Sequence, residues 1–486
     1  MDEQYLIKGK YYPTIGIECH VQLKTKTKLF AGVGNDARQA APNSLISPLC
    51  VGLPGTLPVL NQEAVRLSIK AGLALRAKIA EVSHFDRKHY FYPDLPKGYQ
   101  ISQLDRPIVG PGVVEFPMLD GSLKTVRITR AHLEEDAGKN IHPAGADYSL
   151  VDLNRCGTPL LEIVSEADMH SPAEARSYVH ELYLLMKYAN VSDVDLYHGN
   201  MRFDVNVSVS SNPKELGTRS ETKNLNSFKS VEKAVEYEIN RQIELLEKGK
   251  SIVQETRGWD EAKQKTTSQR GKEDAHDYRY MPDPDIPPIT ISQDLVALIA
   301  QDMPLLPEAL RSQFATFGLD SSQINTVLDE PELAEIILYI ADSHNEKTAK
   351  TIANWCLGEL QRLYQNNALK WQQVKTAIDK LVELAAMVDG STLSSSAAKS
   401  ILGEVIQKNT SPQTIAEKSK LIQVSDATDL IVIVEQIISE NPKATEDIKN
   451  GELKAIGFLV GQVMKASGGR ANPQIVQDLI KKQMGV

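Results

Sequence analysis

Cysteine is scarce: four residues in 486, namely Cys19, Cys50, Cys156 and Cys356, with no C-x-x-C spacing among them. That excludes a disulfide framework and a zinc knuckle, and it suits a reducing compartment. Long apolar runs are also missing. The longest candidates, such as residues 295–300, stop far short of the ~20 residues that a membrane span needs. The opening Met1-Asp2-Glu3-Gln4-Tyr5 lacks a basic region followed by an apolar one, so no secretory signal is read and a soluble, cytoplasmic protein without a membrane partner is expected. Positive charge is in deficit, with 54 Lys and Arg against 63 Asp and Glu and a net charge of -9. A protein that grips nucleic acid with its whole surface is thereby excluded, although a local basic cleft is not. Finally, the glycine-rich Val51-Gly52-Leu53-Pro54-Gly55-Thr56 is no phosphate loop, because no Lys-Ser/Thr follows at the required spacing.

What is present is an ordinary globular composition, 42% hydrophobic and 24% charged, on a chain too long for one core. Residues 1 to about 290 mix alternating strand patterns with helical stretches near 61–79, from Ser171 onward and near 230–249, an α+β pattern. The prolines of Pro282-Asp283-Pro284-Asp285-Ile286-Pro287-Pro288 close this block, since they remove the backbone donors that a helix or central strand needs. Beyond it strand signals nearly vanish, and residues 389–396 break the helical pattern once more. The expected organisation is a domain at 1–292 built on a largely antiparallel sheet, then two all-helical domains at 293–398 and 399–486.

The stretch Ile15-Gly16-Ile17-Glu18-Cys19-His20-Val21-Gln22-Leu23 is the most informative one. A period of two puts Glu18, His20 and Gln22 on one strand face, and a carboxylate beside an imidazole is a common metal-ligand pair. Met201-Arg202-Phe203-Asp204-Val205-Asn206-Val207-Ser208 repeats the pattern with Arg202, Asp204 and Asn206. Residues 85–103 are dense in cations and aromatics, including Arg87, Lys88, Tyr90 and Tyr92, which suits phosphate grip and base stacking. Glu134-Glu135-Asp136 follows the strand-like Val126-Arg127-Ile128 and reads as a cation site or a surface turn. Glu162 interrupts an apolar run and needs a partner such as Arg155. Residues 221–228 and 272–280 are further polar clusters. In the tail, Gly457 and Gly461 share a helical face near Lys465 and Arg470, open either to close approach of a nucleic-acid backbone or to helix packing.

Taken together, the blocks 16–23, 52–61, 85–103, 130–139, 151–165, 202–208, 223–228, 277–288 and 457–465 resemble the B subunits of bacterial glutamyl/aspartyl-tRNA amidotransferases, essentially end to end. The resemblance implies a cradle-shaped kinase domain, a helical domain and a helical tail that touches tRNA. It implies that ATP and Mg2+ phosphorylate the side-chain carboxylate of Glu-tRNA(Gln) or Asp-tRNA(Asn). Ammonia, released from glutamine by a separate glutaminase (amidase) chain, would arrive through a tunnel and displace phosphate, within a heterotrimer completed by a third, small chain. By the same resemblance the metal ligands fall on Glu18, His20, Glu135 and Asp204, with Lys88, Arg87 and Glu135 catalytic. Arg155, Arg202 and Asn206 would bind the cofactor, and Gly457, Gly461, Lys465 and Arg470 the tRNA. Many members carry a C-x-C and a C-x-x-C where this chain has Phe30-Ala31-Gly32-Val33 and Ser47-Pro48-Leu49-Cys50, so no structural zinc is expected. Two rivals are a non-catalytic adaptor that presents tRNA and a metal-dependent phosphohydrolase.

Overall fold

Alternation of apolar and polar residues makes the segment Tyr12–Gln22 a strand with one face for the core and one for chemistry. It lies inside an eight-stranded sheet. Read across, the order is Lys265–Gly271, Glu255–Asp260, Ser220–Leu225, Met201–Ser210, Tyr12–Gln22, Pro159–Ser165, Leu123–Glu135 and Gly112–Pro117. Every neighbouring pair is antiparallel except Ser220–Leu225 with Glu255–Asp260. The computed structural model describes residues 5–143, 145–271, 277–423, 427–449, 452, 454–467 and 471–485.

One face of this sheet is dry. Ile15, Ile17, Cys19 and Val21 join Leu161, Ile163, Phe203 and Val205 in a buried cluster with residues of the helices Gln62–Ala74, Pro172–Tyr188 and Phe228–Glu247. Each helix begins at a side-chain cap, Asn61, Ser171 and Ser227 respectively, and such a cap is worth ~1 kcal/mol. Pro172 at the first turn of the second helix gives up no intrahelical bond.

The long strand Leu123–Glu135 carries a β-bulge. Ile128 pairs with Ser165 and Arg130 with Val164, which leaves Thr129 as the extra residue. Before the bulge the even positions Val126 and Ile128 are core residues; after it the odd positions Ala131 and Leu133 are. Because the side-chain period is two, one added residue exchanges the faces of everything downstream.

A three-stranded sheet, ordered Met281–Pro282, Asp86–His89, Tyr99–Ser102, lies beside the long strand. Gln100 Nε2 donates to the Glu135 carbonyl at 2.7 Å.

The chain divides into two compact units, 1–309 and 310–486. The helix Gln293–Gln301, expected in the second domain, belongs to the first, because Ile299 is buried in the sheet's core cluster. The second unit is helical. Its helices Ser395–Lys408 and Pro412–Lys418 pack on Ile378–Asp389, across the boundary expected at 399. A separate buried cluster unites Leu430, Val434, Leu459, Val463, Val476 and Ile480. The class is α+β. Among the described residues no helix is long and apolar enough to cross a membrane.

Candidate active site

The polar face of the large sheet lines a cavity of about 1040 Å³. Strand register builds it row by row. His132, Glu162, His20 and Arg202 stand directly opposite one another on four adjacent strands, and Glu18 faces Asp204 in the next row. His20 Nε2 lies 3.3 Å and His132 Nε2 3.4 Å from the same Glu162 oxygen, Oε2. His132 Nε2 is also 3.5 Å from Glu134 Oε2, which accepts a hydrogen bond from Ser102 Oγ at 2.9 Å.

Two trios can each offer converging ligand atoms: His20, Glu134 and Glu162, and Glu18, Asp204 and Glu221. Within each trio the atoms lie within 4.8 Å of one another. The second trio is held by its neighbours. Asn206 Nδ2 donates to Glu18 Oε1 at 3.1 Å, the Asn224 N–H to Asp204 Oδ1 at 2.8 Å, and Thr256 Oγ1 to Glu221 Oε2 at 3.0 Å. Lys223 Nζ bridges Asp204 Oδ2 at 3.0 Å and Glu221 Oε1 at 2.9 Å.

Electrostatics follow from this crowding. Burial, together with the charges of Glu162 and Glu221, raises the Glu18 carboxyl above its ordinary range. Burial disfavours the imidazolium of His20, yet the hydrogen bond and charge of Glu162 prevail and raise it. His132 is likewise opposed by burial and raised to about 9 by Glu162 and Glu134. Among the described residues seven carboxylates line the cavity against four Lys and Arg side chains, an excess of negative charge.

Lys88 enters this cavity half-buried, with its ammonium 5.0 Å from the centre of the Tyr278 ring. Burial works against its charge, and Glu134 together with Tyr280, Glu162 and Tyr278 more than restores it. Tyr90, Tyr92 and Tyr278 line the same region. Arg87, expected beside Lys88, does not reach the cavity. Adjacent strand residues point to opposite faces, and Arg87 pairs with Asp283 at 2.9 Å and Asp285 at 2.7 Å while covering the Tyr99 ring.

Glu135 is the larger correction. It is expected as ligand and catalyst, but the bulge turns it to the face of Ala131 and Leu133, where it pairs with Lys97 and accepts from the Ile101 N–H at 3.0 Å. Both side chains are buried, and neither lines the cavity. Glu134, its neighbour, lines the cavity instead. Arg155 does not pair with Glu162. It donates to the carbonyls of Ala137 at 2.8 Å and Gly138 at 2.5 Å.

Arg155 lines a second cavity of about 910 Å³ that shares Arg202 and Asn224 with the first. Asp136 Oδ2 stands between them, accepting from Gln22 Nε2 and Arg202 Nη2, both at 3.0 Å. Gln22 Oε1 in turn accepts from Asn200 Nδ2 at 2.9 Å.

The sequence pattern does not single out Glu134, Glu162 and Glu221 as candidate ligands. Glu221 alternates with Lys223 on a strand, a signal of the same kind as Glu18 and His20. In the helical unit, a Cβ added at Gly457 or Gly461 would meet nothing within 4 Å among the described residues, so neither glycine packs closely against them, and Lys465 is exposed. Arg470 and residues 272–276 lie outside the described residues.

Comparison with known proteins follows the same division of the chain. Residues 13–297 match the GatB/GatE catalytic domain and residues 334–484 the GatB domain. A protein of Caldanaerobacter subterraneus subsp. tengcongensis is 45% identical over 477 residues, covering 98% of this chain and 99% of its own length. One from Carboxydothermus hydrogenoformans is 44% identical over 480 residues, with the same coverages. One from Crocosphaera subtropica is 43% identical over 488 residues, covering 98% of each chain. All three are named as the B subunit of an aspartyl/glutamyl-tRNA(Asn/Gln) amidotransferase.

Proposed function

The chain belongs to the GatB/GatE family, and from that premise we propose that its polar cavity phosphorylates the side-chain carboxylate of Glu-tRNA(Gln) or Asp-tRNA(Asn) with ATP and Mg2+, for amidation by ammonia. The chain is one component of a tRNA-dependent amidotransferase, a glutamine-dependent carbon–nitrogen ligase that acts as a complex. The observation that carries the reading is the convergence of two carboxylate-rich trios and Lys88 on one cavity.

The donor sets fit a hard dication. Glu18, Asp204 and Glu221 offer oxygen only, and Glu18 is already raised by burial and by the charges of Glu162 and Glu221. His20, Glu134 and Glu162 add one imidazole. Bound Mg2+ would supply positive charge to phosphate oxygens that the excess of carboxylates otherwise repels. The need is large: two unit charges ~4 Å apart at an effective dielectric near 20 repel by about 4 kcal/mol, roughly a thousandfold in rate.

The chain's own groups then divide the work. Lys88, beneath Tyr278, steadies the transferring phosphoryl group as a substrate carboxylate oxygen attacks phosphorus and ADP departs. Arg202 holds Asp136 at the edge of the cavity, and Asn206 orients Glu18. Ammonia then attacks the acyl carbon, loses a proton and expels inorganic phosphate. A glutaminase (amidase) chain supplies that ammonia in a heterotrimer with a third, small chain. The second cavity, which meets the first at Arg202 and Asn224, supports a path for it. The exposed face carrying Gly457, Gly461 and Lys465 contacts the tRNA, and the reaction takes place in the cytoplasm.

The test supplies the assembled complex with ATP and misacylated tRNA but no ammonia donor, then adds hydroxylamine. A hydroxamate on the tRNA is the expected product. Its absence, with amidation intact when another chain of the complex is phosphorylation-competent, would make this chain an adaptor, and ATP hydrolysis independent of tRNA would make it a phosphohydrolase.

A further inference from the structure

The four Lys and Arg side chains that line the cavity among the described residues are not equivalent. Arg202 is committed to Asp136 and Lys223 to Asp204 and Glu221, while Lys88 lies under Tyr278. Arg219 alone is exposed, lines the cavity and has no hydrogen bond, ion pair or ring partner among the described residues. Gln254, which also lines the cavity, has no hydrogen-bond partner among them either.

Their placement is dictated by the sheet. Arg219, Glu221 and Lys223 alternate, so they share the cavity face while Ser220 and Thr222 are buried behind it. Glu221 pairs with Thr256 in the parallel ladder, and the same register carried back two residues brings Arg219 beside Gln254. Two residues of strand advance ~7 Å, so Arg219 stands one phosphate group or so beyond the Glu18, Asp204 and Glu221 trio. Lys88 lies toward the other trio, where Glu134 is buried.

We infer that Arg219, with Gln254, forms the subsite for the α- and β-phosphates of the nucleotide, and so fixes the direction in which ATP lies. This rests on the phosphorylating reading of the cavity. The enclosed end, with Lys88 and Glu134, suits the reacting γ-phosphate, because transfer to a carboxylate rather than to water needs water excluded. The exposed end suits the nucleoside, which has to leave as ADP. A guanidinium with no carboxylate partner among the described residues keeps both edges of its donor fork for phosphate oxygens.

The experiment measures equilibrium binding of ATP and of ADP to the assembled complex carrying Arg219→Ala or Arg219→Lys, alongside KM for aminoacyl-tRNA. Loss of a charged hydrogen-bonding partner predicts a rise in Kd of about 10- to 100-fold for Arg219→Ala, the same for both nucleotides. Arg219→Lys recovers part of it, and KM for aminoacyl-tRNA is unchanged. A Kd for ATP within twofold of the parent, a loss confined to ATP, or a rise in the tRNA KM alone each overturns the assignment. A parent complex that binds no ATP at all would instead remove the phosphorylating reading itself.

Discussion

Glu134 and Glu135 are neighbours in sequence with opposite expected fates on substitution by glutamine. Glu135→Gln leaves the Lys97 ammonium without its carboxylate at a site where its side chain is only 4% exposed. Removing one member of a buried pair strands the other charge and costs about 3–5 kcal/mol. At ~2 cal/mol/K of unfolding entropy per residue, a unit of some 300 residues should melt about 5 °C lower or more. Thermal unfolding of the purified chain reads this directly, and Lys97→Met added to Glu135→Gln should restore much of the loss, since no unpaired charge then remains. Glu134→Gln is a different perturbation. Its amide oxygen can still accept from Ser102, and the cations that lose its charge, His132 and Lys88, keep Glu162 nearby. Unfolding should therefore change by less than for Glu135→Gln, about 1–3 kcal/mol, while amidation with either glutamine or ammonia falls on the order of a hundredfold or more. A stable but inactive Glu135→Gln beside an active Glu134→Gln would refute the face assignment and everything argued from the two trios.

The remaining expectations concern the supports of the site and the tail. Glu238 is fully buried and accepts from Ser220 Oγ at 2.7 Å and Arg241 Nη2 at 2.8 Å, with Arg257 Nε at 3.0 Å. Burial opposes its charge, but the hydrogen bonds of Arg241 and Thr266 hold its carboxyl below 4.5. The folded value is thus depressed, so its stabilisation is present above about 4.5 and lost as pH falls through the folded value. Glu238→Gln should flatten the fall of unfolding free energy below that pH, as chemical denaturation across a pH series would measure. Gly217→Ala would place a Cβ 2.1 Å from the Val209 carbonyl oxygen, and should cost more than about 1 kcal/mol while impairing nucleotide binding through the displaced Arg219. In the tail, Gly457→Ala and Gly461→Ala should each stabilise the helical unit by about 0.5–1 kcal/mol, yet raise KM for tRNA. An unchanged KM would remove that face from the tRNA contact.

How much was readable from sequence depended on whether strand phase could be carried along the chain. Glu18, His20, Arg202, Asp204 and Asn206 come together as alternation predicts, because the pairing of their two strands is unbroken from Tyr12 to Val21. The same rule, applied within residues 85–103, separates Arg87 from Lys88, and an ionic residue in the wrong phase finds structural work with Asp283. Glu162 was recognisable as a carboxylate needing partners, but register decides which ones, and register is a property of three strands at once: His20 on one side and His132 on the other. Glu135 was misplaced because the bulge at Thr129 leaves no mark in the local pattern. The domain limit near 292 failed for a simpler reason. The proline run ends the sheet-rich pattern, but Ile299 beyond it is still buried in the first core.

That single extra residue has a consequence for how variation in this segment should be judged. Shortening the strand by one position ahead of Arg130 would leave every acidic side chain chemically intact, yet it would send Glu135 into the polar cavity and press Glu134 against the core beside Lys97. The two acids would trade occupations without either being mutated. An insertion or deletion there is accordingly a graver change than most substitutions, because the spacing between Ile128 and Arg130 sets which of the two acids faces the cavity.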